Sequence, residues 1–211
     1  GNDATFAGLA EFRRGAAAGT GTAVHLFLDA GVGGALMDGG QLVTGISGTA
    51  GEYGHLPFGE RGRPCQCGTR GCWNTAIDGD AIARLLGQPP PADQVSYSRA
   101  VFAAARAGAR DEGKAVSNVA RSLGRGAAAL VNALDPGIVT VGGLGPDLLA
   151  IAGAAASTAY RAGLMASRAA APPPLVPARF GDEGPLVGAA EEGFARVLDG
   201  ETIAHWTARQ R

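Results

Sequence analysis

The sequence predicts an α/β domain. Three features carry that reading: short apolar runs closed by glycine turns, longer segments with apolar residues at 3.6 spacing, and the alternation of the two along the chain. Hydrophobic residues make up 46% of the 211, and charged residues 18%, below the roughly 25% of ordinary soluble domains. Such a chain buries a substantial core.

The elements follow in order. Asp3 is the expected N-cap of a first helix, with Phe6, Leu9, Ala10 and Phe12 at helical spacing and Gly15 and Gly19 as breakers. Ala23 to Leu28 reads as a buried strand, Gly31-Val32-Gly33-Gly34 as a turn and Ala35 to Met37 as a second strand, with Asp38-Gly39-Gly40 as a hairpin turn. From Gly45 to Gly71 the chain is rich in Gly, Pro and polar residues and reads as irregular. Helices are expected at Asp80 to Leu86 and Ser98 to Ala109, with Pro89-Pro90-Pro91 between them. The strongest amphipathic pattern runs from Val116 through Val119, Ala120, Leu123, Ala127, Leu130 and Val131 to Leu134. Asp135-Pro136-Gly137 ends it, and Ile138 to Val141 reads as a buried strand leaving through Gly142-Gly143. A helix at Pro146 to Ala159, a strand at Leu175 to Phe180 and a helix from Pro185 to about Leu198 complete the domain, with residues 199–211 as a peripheral tail.

Charge excludes some functions. With 18 Lys and Arg against 19 Asp and Glu, the net charge is −1, which leaves no basic surface for nucleic acid within this chain. No stretch is long and apolar enough for a membrane helix, and the N-terminus lacks a secretory pattern, so a cytoplasmic protein is expected. The chain opens at Gly1 without Met, as a fragment would.

All three cysteines fall within one short run, unlike a dispersed disulfide framework. With His55 they form His55-x9-Cys65-x-Cys67-x4-Cys72, three thiolates and one imidazole, a complete tetrahedral shell for a structural zinc ion. Gly68 and Gly71 supply the bends, and ligation supplies folding energy to a segment poor in apolar residues. The blander alternative is three neighbouring thiols. His25 reads as structural, Trp73 and Trp206 both read as core or interface residues, and His205 has no apparent partner.

The segment Ile46-Ser47-Gly48-Thr49-Ala50-Gly51-Glu52-Tyr53-Gly54-His55, followed by Cys65-Gln66-Cys67-Gly68-Thr69-Arg70-Gly71-Cys72, resembles the signature of the ROK family of bacterial sugar kinases and sugar-responsive repressors. Asn2-Asp3-Ala4, Gly31-Val32-Gly33-Gly34 and Asp135-Pro136 to Gly143 resemble further motifs of that family, in the same order. The resemblance implies an actin/Hsp70-like (ribonuclease H-like) sugar-kinase fold, of which this chain is the second lobe. Residues 1–20 would be the helix ending a first lobe upstream, and 21–198 the C-terminal lobe with a zinc loop at 45–75.

The resemblance also assigns sugar binding to Asn2, Asp3, Glu52 and His55, and makes Asp3 the general base of a kinase. A zinc-bound His55 would hold its second ring nitrogen as a preset donor. Gly31, Gly33 and Gly34, with Gly142 and Gly143, would form the nucleotide loops, and ATP with Mg2+ would be needed only by a kinase.

Two positions depart from the kinase pattern. Asn74 stands where kinases of the family carry a sugar-holding glutamate, and Leu28-Asp29-Ala30-Gly31 replaces a Gly-Thr-Gly phosphate loop. An acid at Asp29 repels triphosphate, unless it points away and caps a turn. The expected reading is therefore the sugar-sensing, dimerising part of a repressor that responds to a sugar or sugar phosphate. Its DNA-binding domain would lie upstream of Gly1. The alternatives are an ATP-dependent hexose or N-acyl-hexosamine kinase and a zinc-stabilised fragment with neither role.

Overall fold

A computed structural model describes residues 2–198 of the chain. Strands β1 (Thr22–Leu28), β2 (Val32–Asp38), β3 (Gln41–Val43), β4 (Ile138–Gly143) and β5 (Leu175–Pro177) form one sheet in the order β3-β2-β1-β4-β5. The first three strands make an antiparallel meander, while β1, β4 and β5 run parallel. This mixed sheet is the ribonuclease H-like lobe of the actin-like fold. The parallel pairs need long crossovers, and helices supply them.

Alternation along β1 assigns the two faces. Val24, Leu26 and Leu28 join Val139 and Val141 in the main core, beneath helices α4 (Arg110–Leu134) and α5 (Gly145–Gly163). Ala23 and Phe27 face the other way, Phe27 against Ala4 and Ala7 of helix α1 (Asp3–Arg14) and Ala23 against Ala17 just beyond it. The predicted stripe of α4 is buried from Val116 to Val131, with Leu134 half-buried. A Cβ at Gly124 would overlap the Ala156 carbonyl, so glycine lets α4 and α5 cross closely.

On the opposite face, helix α7 (Gly184–Val197) packs on α1 through Gly188, joined by Arg13–Glu192 at 3.5 Å and an Arg14–Glu191 ion pair. Buried Glu11 accepts hydrogen bonds from Ala16 N at 2.8 Å and Phe180 N at 2.9 Å, tying the end of α1 to the segment after β5. Buried His25 lies 2.8 Å from the Thr140 hydroxyl, and desolvation pushes its imidazole down to about 3. It is neutral and structural, as expected.

Several boundaries differ from the sequence reading. The N-cap is Asn2 rather than Asp3: its Oδ1 accepts from Ala4 N at 2.9 Å, and Asp3 is the first helical residue. Strand β2 starts at Val32, because Leu28 pairs with Val32 and the turn is confined to residues 29–31. The Gly39-Gly40 hairpin forms as predicted, both glycines at positive φ, and delivers β3, which the sequence reading omits. Helix α3 (Gln94–Arg106) starts four residues early because Asp93 caps it, accepting from Val95 N and Ser96 N. Strand β5 ends at Pro177, short of Phe180. Helix α2 (Gly79–Leu85) and the short α6 (Ala166–Ala169) complete the α-helices among the described residues. The predicted tail at 199–211, with His205 and Trp206, lies outside the described residues.

Candidate functional site

The segment between β3 and α2 is irregular, as predicted, and is organised around the cysteines. Pro64 and Arg70 form an antiparallel bridge, Cys65 N donates to Thr69 O at 2.9 Å, and Gly71 N donates to Arg63 O at 2.8 Å. Gly68 and Gly71, at φ +91° and +77°, make the bends that return Cys72 to its partners.

Trp73 anchors the segment. It is fully buried, donates from Nε1 to Ser122 Oγ at 3.2 Å on α4, and meets Phe58 edge-on at 5.9 Å. A Cβ at Gly126 of α4 would overlap the indole, so glycine makes room for it.

The ligand atoms of His55, Cys65, Cys67 and Cys72 all lie within 4.8 Å of one another. Cys65 Sγ is 3.7 Å from His55 Nδ1, and Cys67 Sγ is 3.6 Å from Cys72 Sγ. A tetrahedral ion with Zn–S bonds of about 2.3 Å has sulfur–sulfur edges of roughly 3.8 Å, so the donor set fits zinc. The Thr69 hydroxyl, 3.2 Å from Cys67 Sγ, leads the interactions that draw the Cys67 thiol down to about 6, towards the thiolate a metal requires. Nδ1 faces the cysteines while Nε2 lies 3.7 Å from Glu52 Oε2. The cysteine cluster is thus linked through one imidazole to Glu52.

A cleft of about 280 Å³ opens between the start of α1 and this segment. Asn2, Asp3, Glu52 and Asn74 all line it, together with Gly31, Gly33 and Gly34. The glycines of β2 serve packing. A Cβ at Gly33 would press on Ala4 at 2.9 Å, and one at Gly34 would press on the Tyr53 ring at 2.6 Å. These glycines let the first turn of α1 and the 3₁₀ turn Tyr53–His55 close on the strand. Gly33 and Gly34 are therefore strand residues rather than the predicted turn. Burial in this contact pushes the Tyr53 hydroxyl up to about 12.

His55 lines a second cavity, of about 410 Å³, which shares Ala30 and Asn74 with the first. Asn74 Oδ1 accepts from Val32 N at 2.8 Å, and so it clamps the end of the 29–31 turn. Sequence reasoning placed Asn74 at the sugar and missed this second attachment, which depends on contact across 42 residues.

A third cavity, of about 300 Å³, adjoins the first through Asp3, Phe27 and Asp29, which line both, and is lined also by Arg99, Gly143 and Asp182. Burial first, then the Asp3 and Asp182 carboxylates, push Asp29 up, while Arg99 pulls it back. Arg99 itself donates to Asp182 Oδ2 at 2.6 Å. Asp29 therefore opens onto the same space as Asp3. Of the two glycines after β4's core, Gly143 faces this cavity, whereas Gly142 packs on His25 and Phe27. The sequence signalled neither Arg99 nor Asp182.

The ROK family model matches residues 1–191. The chain is 34% identical over 155 residues to a glucokinase of Halalkalibacterium halodurans, covering 67% of this chain and 47% of that protein. It therefore spans about half the length of that relative. A ROK family glucokinase from Streptomyces griseus, solved with glucose and AMPPNP, superposes with a TM-score of 0.79 at 28% identity, over 90% of this chain and 66% of that one. A ROK family transcriptional regulator, a homologue of the E. coli MLC protein, shares the fold at TM-score 0.75 and 24% identity, over 90% of this chain and 50% of that one. Among the described residues, no helix is long and apolar enough to cross a membrane.

Proposed function

The chain belongs to the ROK family, and from that premise we propose that it forms the sugar-holding lobe of an ATP-dependent kinase for a hexose or N-acyl-hexosamine. One observation carries this reading: Asp3, at the start of α1 beside Asn2, lines both the cleft of Glu52 and Asn74 and the cavity of Arg99 and Gly143, with Asp29 the second carboxylate common to the two. A general base for phosphoryl transfer must occupy that junction, within reach of the sugar hydroxyl on one side and the phosphate on the other. Asp3 would take the hydroxyl proton as that oxygen attacks the γ-phosphoryl group of ATP, whose Mg2+ offsets the developing charge.

The remaining residues position the sugar. Glu52 and the Nε2 edge of His55 would meet its hydroxyls, with Asn2 opposite. His55, Cys65, Cys67 and Cys72 would hold a zinc ion, and that ligation would fix the cysteine loop and the His55 ring. The kinase reading stands ahead of the regulator expected from the sequence, because the relatives with the stronger likeness are named as glucokinases. N-acetylmannosamine kinases also match at a similar level.

Asp29 and Ala30 favour the second reading, in which a homodimer senses sugar, turnover is absent and DNA is held by another domain. Full-length protein incubated with ATP, Mg2+ and glucose or N-acetylmannosamine separates the two. The kinase reading expects sugar phosphate and ADP in equal amounts. Sugar binding without turnover, combined with sugar-dependent release of operator DNA, would replace it with the regulator.

A further inference from the structure

Charge is distributed unevenly around Asp3. The cleft of about 280 Å³ and the adjoining cavity of about 300 Å³ are lined by the carboxylates Asp3, Asp29, Glu52 and Asp182. Among the described residues that line either space, Arg99 is the one cation. The chain's own residues therefore repel a polyphosphate entering here at every charged position but one.

Arg99 projects from α3, and its Nη2 donates to Asp182 Oδ2 at 2.6 Å, in the short turn Gly181–Glu183 ahead of α7. Its charge also reaches Asp29, whose carboxyl it pulls down against burial and the neighbouring acids. Among the described residues Asp182 is its only hydrogen-bonding partner, which leaves Nε and Nη1 available. The two side chains are 46% and 59% exposed, and an ion pair in that setting contributes little to stability. The pair is thus a weak restraint that holds a planar, five-donor fork against the cavity. A phosphate engages such a fork bidentately and outweighs a single contact to an exposed carboxylate.

We propose that Arg99 positions the nucleotide: when ATP binds, the guanidinium exchanges Asp182 for a phosphate group and offsets Asp29. Asp182 competes with the phosphate for the same donors. The proposal rests on the kinase reading above and adds the residue that allows a turn carrying Asp29 to accept a polyanion.

Full-length wild type, Arg99→Gln, Arg99→Lys and Asp182→Asn are compared by calorimetric titration with ADP and with adenosine. Steady-state kinetics with ATP and glucose or N-acetylmannosamine accompany the titrations. In Arg99→Gln the Kd for ADP and the KM for ATP are expected to rise about tenfold, the worth of roughly one hydrogen bond to a charged group. The Kd for adenosine, the Kd for sugar and kcat stay within a few-fold, and Arg99→Lys recovers part of the loss. Asp182→Asn moves the opposite way, lowering the Kd for ADP about threefold, the worth of an exposed ion pair.

Unchanged ADP affinity in Arg99→Gln overturns the proposal. Equal weakening of ADP and adenosine overturns it too, as do parallel losses in Arg99→Gln and Asp182→Asn, because both describe a pair that only braces the fold. Any of these alongside wild-type turnover leaves the kinase reading intact. Wild-type protein that binds no ADP and forms no sugar phosphate removes that reading and this proposal together.

Discussion

Asp78 offers the perturbation whose size follows most directly from the structure. It caps α2, with Oδ1 accepting from Ala81 N at 2.7 Å, and it lies half-buried on the wall of the larger cavity. Burial pushes its carboxyl from 3.8 up to about 6; the Ala81 N–H opposes the shift and Asp80 adds to it. The folded state holds the proton more tightly than the unfolded chain. The stability this supplies is complete below 3.8 and is lost as pH rises through about 6.

That displacement corresponds to about 3 kcal/mol at pH 7. Asn caps helices about as well as Asp but carries no charge, so Asp78→Asn keeps the cap and removes the penalty. The variant is expected to exceed the wild type by roughly 1.5 kcal/mol at pH 5 and about 3 kcal/mol at pH 7. Parallel urea titrations of the two proteins at each pH cancel effects common to both, including metal release. A constant offset across this range, or a variant less stable at pH 7, would refute the reasoning.

Three other perturbations address the metal loop and its anchors. Cys67→Ser is expected to lower zinc content, measured by plasma mass spectrometry, and glucose affinity along with it, because His55 then no longer holds Glu52 in place; undiminished affinity in metal-poor protein would break that link. Asn74→Ala leaves the Val32 N–H without its acceptor and is expected to cost about 1–3 kcal/mol in chemical denaturation, with faster amide exchange at Val32. Trp73→Ala empties a fully buried site and strands the Ser122 hydroxyl, for an expected loss of about 3–5 kcal/mol.

The parts of the molecule legible in the sequence are those set by local pattern. The stripe of α4 needs only 3.6-residue periodicity, and the zinc ligands stand out because every cysteine lies in one short run with a histidine upstream. Glycine runs usually mark turns, and local pattern alone therefore places Gly33 and Gly34 in one. Their real constraint is the approach of Ala4 and Tyr53 from distant segments, which no local pattern encodes. Strand β3 has three residues and no alternation to detect. Asn74's grip on Val32, the Arg99–Asp182 pair and the unpartnered Gln94 oxygen arise only when α2, α3 and the 29–31 turn meet. The family resemblance supplied candidate roles for Asn2, Asp3 and Glu52, and the fold brings those three to one cleft.

The central claim is that Asp3 moves the proton for phosphoryl transfer while its neighbours hold the sugar. Steady-state kinetics and glucose titration of full-length wild-type protein and Asp3→Asn test it together. The account predicts that kcat falls by at least about 10²-fold while the Kd for glucose stays within a few-fold, since a general base contributes roughly 10²–10⁴. An unchanged kcat in Asp3→Asn would contradict it.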